Sequence, residues 1–309
     1  MLDTLRTLVG TQERPLVARD PVSLTRTRMF VEAIGDTNPI HLDAAAGRTA
    51  GYPGPVAPAG LLQAWTMPGL GPPRDEDGPT ARLYRLLDGH GYPGLIAVGY
   101  RQDYVRYLVP GDHVTATATI ASVSEEKRTW VGPGHFLSTD TVFTDQHGAT
   151  VGSMTWTVLK YRPTPAPPRP PGESTLDGLP ALRVPVTATM IVGGALATND
   201  YTPIHHDVAA ARAAGFTDIF MNILTTCGLV QRYVTEWAGP AVRLRDTEFR
   251  LGGPCYPGDT LTFTGRVDGA DGDGDVVEVA GRNDRGVHVR GRVGLHRTAT
   301  TSLPTVSRE

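Results

Sequence analysis

The sequence predicts an α+β protein made of two tandem copies of one unit, each a curved antiparallel sheet wrapped around a buried helix. Three observations predict it: a motif that occurs twice, an apolar helical run after each copy, and alternating strands after that. The motif reads Gly35-Asp36-Thr37-Asn38-Pro39-Ile40-His41-Leu42-Asp43 and again Asn199-Asp200-Tyr201-Thr202-Pro203-Ile204-His205-His206-Asp207. Ala50-Gly51-Tyr52 then parallels Ala214-Gly215-Phe216, and Val109-Pro110-Gly111-Asp112 parallels Tyr256-Pro257-Gly258-Asp259. A long period seen twice indicates duplication and pseudo-symmetry, not a solenoid.

Each half reads in the same order: strand, motif turn, short helix, long apolar helix, then several antiparallel strands. In the second half the apolar positions 223, 224, 227, 230, 234 and 237 follow helical spacing, and Gly239-Pro240 ends the run. The first-half counterpart is Leu61-Leu62-Gln63-Ala64-Trp65. Period-two alternation marks strands at Val114–Ala118, Thr155–Val158 and Leu261–Val267. A helix apolar over more than one stripe must be enclosed, which gives two tandem hotdog domains, a pseudo-symmetric double hotdog. The first half carries additional sequence at Pro68–Gly94, in which Ala81–Leu87 has amphipathic helical spacing. It reads as an insertion that lids or widens a cavity, with a disordered surface loop as the alternative. The proline-rich run Arg162–Gly172 is suited to an extended linker. The expected domains are therefore 1–162 (substrate-binding half), a linker at 163–174, 175–300 (catalytic half) and a tail at 301–309.

Composition narrows the class. Of the 309 residues, 40% are hydrophobic and 20% charged, as in soluble globular proteins, and the net charge of −3 gives no reason to expect nucleic acid. No window approaches the ~20 apolar residues of a membrane span, and no signal-peptide run opens the chain, so the expected location is the cytoplasm. Cys227 and Cys255 are far apart, lack metal-ligand spacing and sit among apolar or small residues, which predicts buried free thiols.

An acid and an imidazole five positions apart across a Pro-containing turn, Asp36/His41 and Asp200/His205, can address one small volume. Alone, such a pair is more readily an Asx turn and a core histidine; its duplication ahead of a small-residue helix favours a catalytic or ligand site. The helix entrance follows, at Asp218-Ile219-Phe220-Met221-Asn222 and at Pro55-Val56-Ala57-Pro58-Ala59-Gly60. First-turn N–H groups there would stabilise an oxyanion, so Asn199, Met221 and Asn222, with Asn38 and Ala59 in the other copy, are candidate substrate-binding residues. His205-His206-Asp207 does not have the geometry of a metal set, and Asp268–Asp275 lacks the glycine and closing glutamate of a calcium loop, leaving a hairpin turn. No metal site is expected.

The two motifs, each followed by an Ala-rich turn and Ala-Gly-aromatic, resemble the signature of the MaoC-like, R-specific enoyl-CoA hydratases. The resemblance implies a hotdog fold, addition of water to a 2-enoyl-CoA thioester, and no metal or redox cofactor, coenzyme A entering only as part of the substrate. Asp200 and His205 match the family's acid and histidine, as do Asp36 and His41, whereas the usual His-Gly at the helix start is replaced by Met221-Asn222 and Pro58-Ala59. Asp218–Gly239 further resembles the small subunit of actinobacterial steroid side-chain enoyl-CoA hydratases, and Val56–Met67 the hotdog part of their large subunit. In that system the small subunit carries the catalytic pair, which implies Asp200 and His205 as the working pair here and a bulky acyl group. A hotdog thioesterase, a carrier-protein-dependent dehydratase and a non-catalytic acyl-CoA-binding protein are the alternatives. The expected partners are the acyl-CoA substrate and a second copy of the chain, a homodimer; neither nucleic acid nor membrane is expected.

Overall fold

The computed structural model describes residues 2–70, 77–129, 131–164, 176–271 and 274–296. The first half runs through α1 (Leu2–Arg6), β1 (Leu16–Val17), α2 (Leu24–Ile34), α3 (Ala44–Thr49), α4 (Pro79–Gly89) and β2 (Gly94–Tyr104). It continues with β3 (Thr115–Val123), β4 (Lys127–Thr129), β5 (Gly132–Thr144) and β6 (Thr150–Tyr161). The second half comprises β7 (Leu182–Pro185), α5 (Ala188–Ala197), α6 (Val208–Ala213), α7 (Ile223–Ala238), β8 (Leu244–Leu251), β9 (Thr260–Asp271), β10 (Gly274–Asn283) and β11 (Gly286–His296).

All strand pairings are antiparallel, and the strands join in one sheet ordered β1-β3-β5-β6-β2-β8-β11-β10-β9-β7, with β4 on β5. Leaving β4 aside, each half has the same order: first strand, third, fourth, fifth, second. The two second strands, β2 and β8, meet at the centre from Gly99↔Arg250 to Asp103↔Asp246 and fuse the halves into one double hotdog. On that seam Tyr100 and Phe249 stack with ring centroids 5.0 Å apart.

The core helix of the second half is α7. Twelve of its 16 residues are buried, so it has no solvated stripe and must be wrapped by the sheet. Asn222 caps its start by accepting Thr225 N–H at 2.9 Å, and Gly239, at φ 95°, ends it ahead of Pro240. Against it lie α2 and α5, which also pack on each other across the pseudo-symmetry axis. Close approach is possible only because Gly228 of α7 has no side chain: a Cβ there would lie 2.5 Å from the Phe30 ring of α2.

The structure corrects the sequence reading at several points. Helices α2 and α5 precede the motifs and were not anticipated. The long first-half helix does not form: Ala59–Leu61 and Ala64–Thr66 are separate 3-10 turns. Gly60 disfavours helix there by about 1 kcal/mol, and Met67 is extended ahead of Pro68, as a residue before proline prefers. The amphipathic segment of the insertion is α4, but it lies on the sheet. Leu137 of β5 and Val158 of β6 pack with Leu83 and Leu87 of α4, while Phe143 and Met154, on the same faces of those strands, belong to the main core. Helix α4 thus covers concave surface that the missing helix leaves open. The hairpin expected at 268–275 is β9–β10, apart from 272–273, which lie outside the described residues. Residues 165–175, most of the expected linker, and the expected tail at 301–309 also lie outside them. Among the described residues no helix is long and apolar enough to cross a membrane, and both cysteines are buried free thiols.

Replacing Gly228 by valine is expected to lower stability by about 1–3 kcal/mol through overpacking against α2, read as a drop in the urea midpoint at unchanged slope.

Candidate active site

Both motif copies fold alike. Each acid follows a helix end, with the Asp36 N–H on the Val31 carbonyl (2.8 Å) and the Asp200 N–H on the Ala195 carbonyl (2.9 Å). A 3-10 turn over Pro39–His41 or Pro203–His205 then turns the chain back and aims the imidazole at the acid. Asp43 and Asp207 cap the next short helix through two N–H groups each, which accounts for their place in the motif.

The imidazoles are fixed from behind. His41 Nδ1 donates to the Val56 carbonyl at 2.8 Å, and His205 Nδ1 to the Phe220 carbonyl at 2.7 Å. A carbonyl oxygen only accepts, so Nδ1 carries the proton and Nε2 of the neutral ring presents a lone pair. That Nε2 faces carboxylate Oδ2 at 3.7 Å in the first copy and 3.5 Å in the second. Burial pushes both rings below the usual imidazole range, against the opposing effects of the neighbouring carboxylate and the carbonyl hydrogen bond. Two acceptors therefore face one another, an arrangement suited to a molecule that donates two protons, such as water. His206 lies outside this pair, exposed and on the Tyr201 carbonyl at 3.2 Å. Among the described residues no group of three His, Cys, Asp or Glu could hold a metal ion.

The copies differ around the acid. Asp200 Oδ1 accepts the Thr202 hydroxyl (2.7 Å), and its Oδ2 accepts the Asn222 amide (3.0 Å), which also donates to Thr198 Oγ1 (2.9 Å). Asn222 thus caps α7 with its oxygen and holds the Asp200 carboxylate with its nitrogen, a double role that sequence reasoning missed. Pro58 occupies the corresponding first-copy position and can do neither. Asn38 Oδ1 only caps its own turn, on Ile40 N–H at 3.2 Å.

The expected oxyanion donors also need correction. Met221 is buried and its N–H is taken by the Cys255 carbonyl at 2.9 Å, so it cannot serve. With Thr225 N–H on the cap, the helix start presents Ile223 and Leu224, whose N–H groups have no acceptor within a helix that begins there. The matching first-copy residue is Ala59; the next N–H, Gly60, donates to Gln231 Oε1 of α7 at 2.8 Å. That copy's cavity, walled by Asp36, His41 and Ala59 with Gly228, Gln231 and Thr235 of α7, has a volume of about 10 Å³, room for one water. Asn199 lies away from its dyad and lines a separate cavity with Tyr201.

A double hotdog with an acid–imidazole pair beside the start of its buried helix defines a dehydratase-like class of protein, and comparison with known proteins agrees. Residues 8–154 match the FAS1-like dehydratase domain region and residues 177–287 the MaoC-like domain. The chain is 49% identical over 117 residues to the beta subunit of 3-oxo-4,17-pregnadiene-20-carboxyl-CoA hydratase of Mycobacterium tuberculosis, covering 91% of that subunit and 38% of this chain. It is 41% identical over 167 residues to the alpha subunit of the same enzyme, 54% of this chain and 53% of the subunit, so it spans about half that relative's length. A solved MaoC-like dehydratase superposes over 96% of this chain and 100% of its own with a TM-score of 0.75 at 20% identity, which shows the shared fold. The chain belongs to the MaoC-like dehydratase family.

Two outcomes follow from this geometry. Asn222→Ala is expected to cost about 0.5–2 kcal/mol as a lost cap, and Asn222→Ser to recover most of it, measured by urea unfolding. His41, His205 and the fully buried His288 all have lowered pKa values, burial being the main cause. The unfolded chain therefore takes up protons below about pH 6.5 that the folded chain refuses. Stability should be level above that pH and fall below it, as urea midpoints on either side will show.

Proposed function

We propose that this protein hydrates a 2-enoyl-CoA thioester to the 3-hydroxyacyl-CoA, with Asp200 and His205 as the working pair. The observation that carries the proposal is the second-copy dyad, locked by Phe220 and Asn222 beside the first turn of a 16-residue helix. Asp200 Oδ2 and His205 Nε2 hold one water by its two protons and leave its oxygen directed at the β-carbon. The pair takes one proton from that water as the C–O bond forms, and one proton is returned to the α-carbon on the same face, a syn addition. The thioester oxygen gains negative charge and meets the Ile223 N–H, where the helix dipole adds to the hydrogen bond.

The first copy has the same acid and imidazole but stands at a three-residue 3-10 turn, too short for a comparable dipole, with its Gly60 N–H taken by Gln231. This supports a binding role for the first half. Similarity to the two pregnadiene-carboxyl-CoA hydratase subunits supports a bulky, steroid side-chain type of acyl group. The chain would then hold in one polypeptide what those relatives divide between subunits, and two copies would associate as a homodimer, checked by light scattering.

General acid–base catalysis is worth roughly 10²–10⁴-fold, so Asp200→Asn and His205→Ala should each abolish most hydration, followed as loss of enoyl-thioester absorbance across acyl groups from crotonyl to a steroid side chain. Retention of more than about a tenth of the wild-type rate by either variant would remove the assignment. Asp36→Asn should leave kcat nearly unchanged; a collapse comparable to that of Asp200→Asn would make the first copy a working site. Free thiol released from the thioester would indicate a thioesterase instead.

A further inference from the structure

A cavity of about 160 Å³ opens where the two halves meet beside the second motif, lined by Arg19, Asp20, Arg26, Trp65, Asn199 and Tyr201 among others. It is many times larger than the ~10–15 Å³ that admits one water. It is also distinct from the dyad: Asn199 and Tyr201, the neighbours of Asp200 on either side, line it, and Asp200 does not.

Its most buried cation is Arg26, on the first turns of α2. Nη1 of Arg26 donates to the Ala64 carbonyl at 3.4 Å, and the guanidinium lies 5.5 Å from the centroid of the Trp65 ring. Among the described residues no carboxylate forms an ion pair with it, although Asp20 is a charged neighbour. Burial accordingly lowers its pKa, the effect of a partly desolvated cation that lacks full compensation. Among the described residues of this lining there are two arginines and one carboxylate.

The backbone gives an independent indication. The residue before the acid must be left-handed, and the first copy uses Gly35 at φ 67°. In the second copy Asn199 takes that conformation at φ 55°, the only non-glycine residue among those described with positive φ. Glycine would satisfy the turn without strain; asparagine adds a side-chain amide, which lines the cavity. Gly69, at φ 60°, lines the same cavity, and a Cβ placed there would lie 3.6 Å from the Tyr201 ring.

We propose that this cavity, centred on Arg26 with Arg19, Asn199 and Tyr201, binds an anionic group of the thioester ligand through charge-assisted hydrogen bonds. The shared chemistry is a phosphate or carboxylate oxygen set; the two sources are the phosphates of coenzyme A and a carboxylate on the acyl chain. The assignment rests on the acyl-CoA reading but is tested without turnover. Calorimetric titration uses coenzyme A, which has phosphates and no acyl group, and glutaryl-pantetheine, which has a carboxylate, no phosphate and no double bond to hydrate. Loss of a hydrogen bond to a charged group weakens binding about ten- to a hundredfold, so Arg26→Ala should weaken one of the two ligands by that factor and leave the other unchanged. Weakened coenzyme A identifies the phosphates, weakened glutaryl-pantetheine the carboxylate. Arg19→Ala, at an exposed position where folding is not at risk, should weaken the same ligand by a smaller factor, and Arg26→Lys should retain part of the affinity. Wild-type affinity for both ligands in Arg26→Ala and Arg19→Ala, or no binding of either ligand to the wild-type chain, overturns the proposal. Arg26-dependent binding in a chain without hydratase activity would keep this site and remove the hydration reading; hydration with Arg26-independent binding would do the reverse.

Discussion

The hydrogen bond from His205 Nδ1 to the Phe220 carbonyl is the constraint on which the site depends. It spans the fifteen positions from the motif turn to the start of α7 and so ties the two in register. It fixes which ring nitrogen is protonated and therefore what the other can accept. Burial holds the ring's pKa below the usual imidazole range, against the opposing effects of Asp200 and of this same hydrogen bond. The first copy repeats the bond with Val56 across the same separation. The turn, the short helix and the return to the core thus form one device that the fold uses twice.

What separates the two copies lies downstream of that device. In the second half a capped, enclosed helix begins beside the dyad, and one side chain, Asn222, belongs to both cap and carboxylate. In the first half, the stretch between Pro58 and Pro68 forms only two short 3-10 turns. Aligned peptide dipoles need length, so the same pair of side chains stands in a weaker field. Gln231 reaches from α7 to Gly60 N–H, Tyr104 and Thr247, joining the halves through a buried polar network.

The sequence made some of this legible and hid the rest for physical reasons. Repetition of the motif announced the pseudo-symmetry, and the dyads formed where the spacing put them. Helix α7 was readable because its apolar positions keep helical spacing up to Gly239. Helix α5 was not: Ala188–Ala197 is apolar or small nearly throughout, so it carries no stripe for periodicity to detect. The broken first-half helix had a signal in Pro58, Gly60 and Pro68, outweighed there by the analogy between the halves. Sequence could not show that the Met221 N–H is bonded to the Cys255 carbonyl, a partner brought in by tertiary structure alone. Nothing in a linear sequence indicates that Arg26 and Asn199 border one cavity.

The β2–β8 seam has a consequence for how such a protein can change. In an assembly of identical chains, a substitution alters every copy of a site at once. Here the two halves pair along a shared seam yet are separate stretches of one chain, so a substitution in one leaves the other as it was. One half can carry a full helix and the other two short turns, at a stoichiometry that expression level cannot disturb.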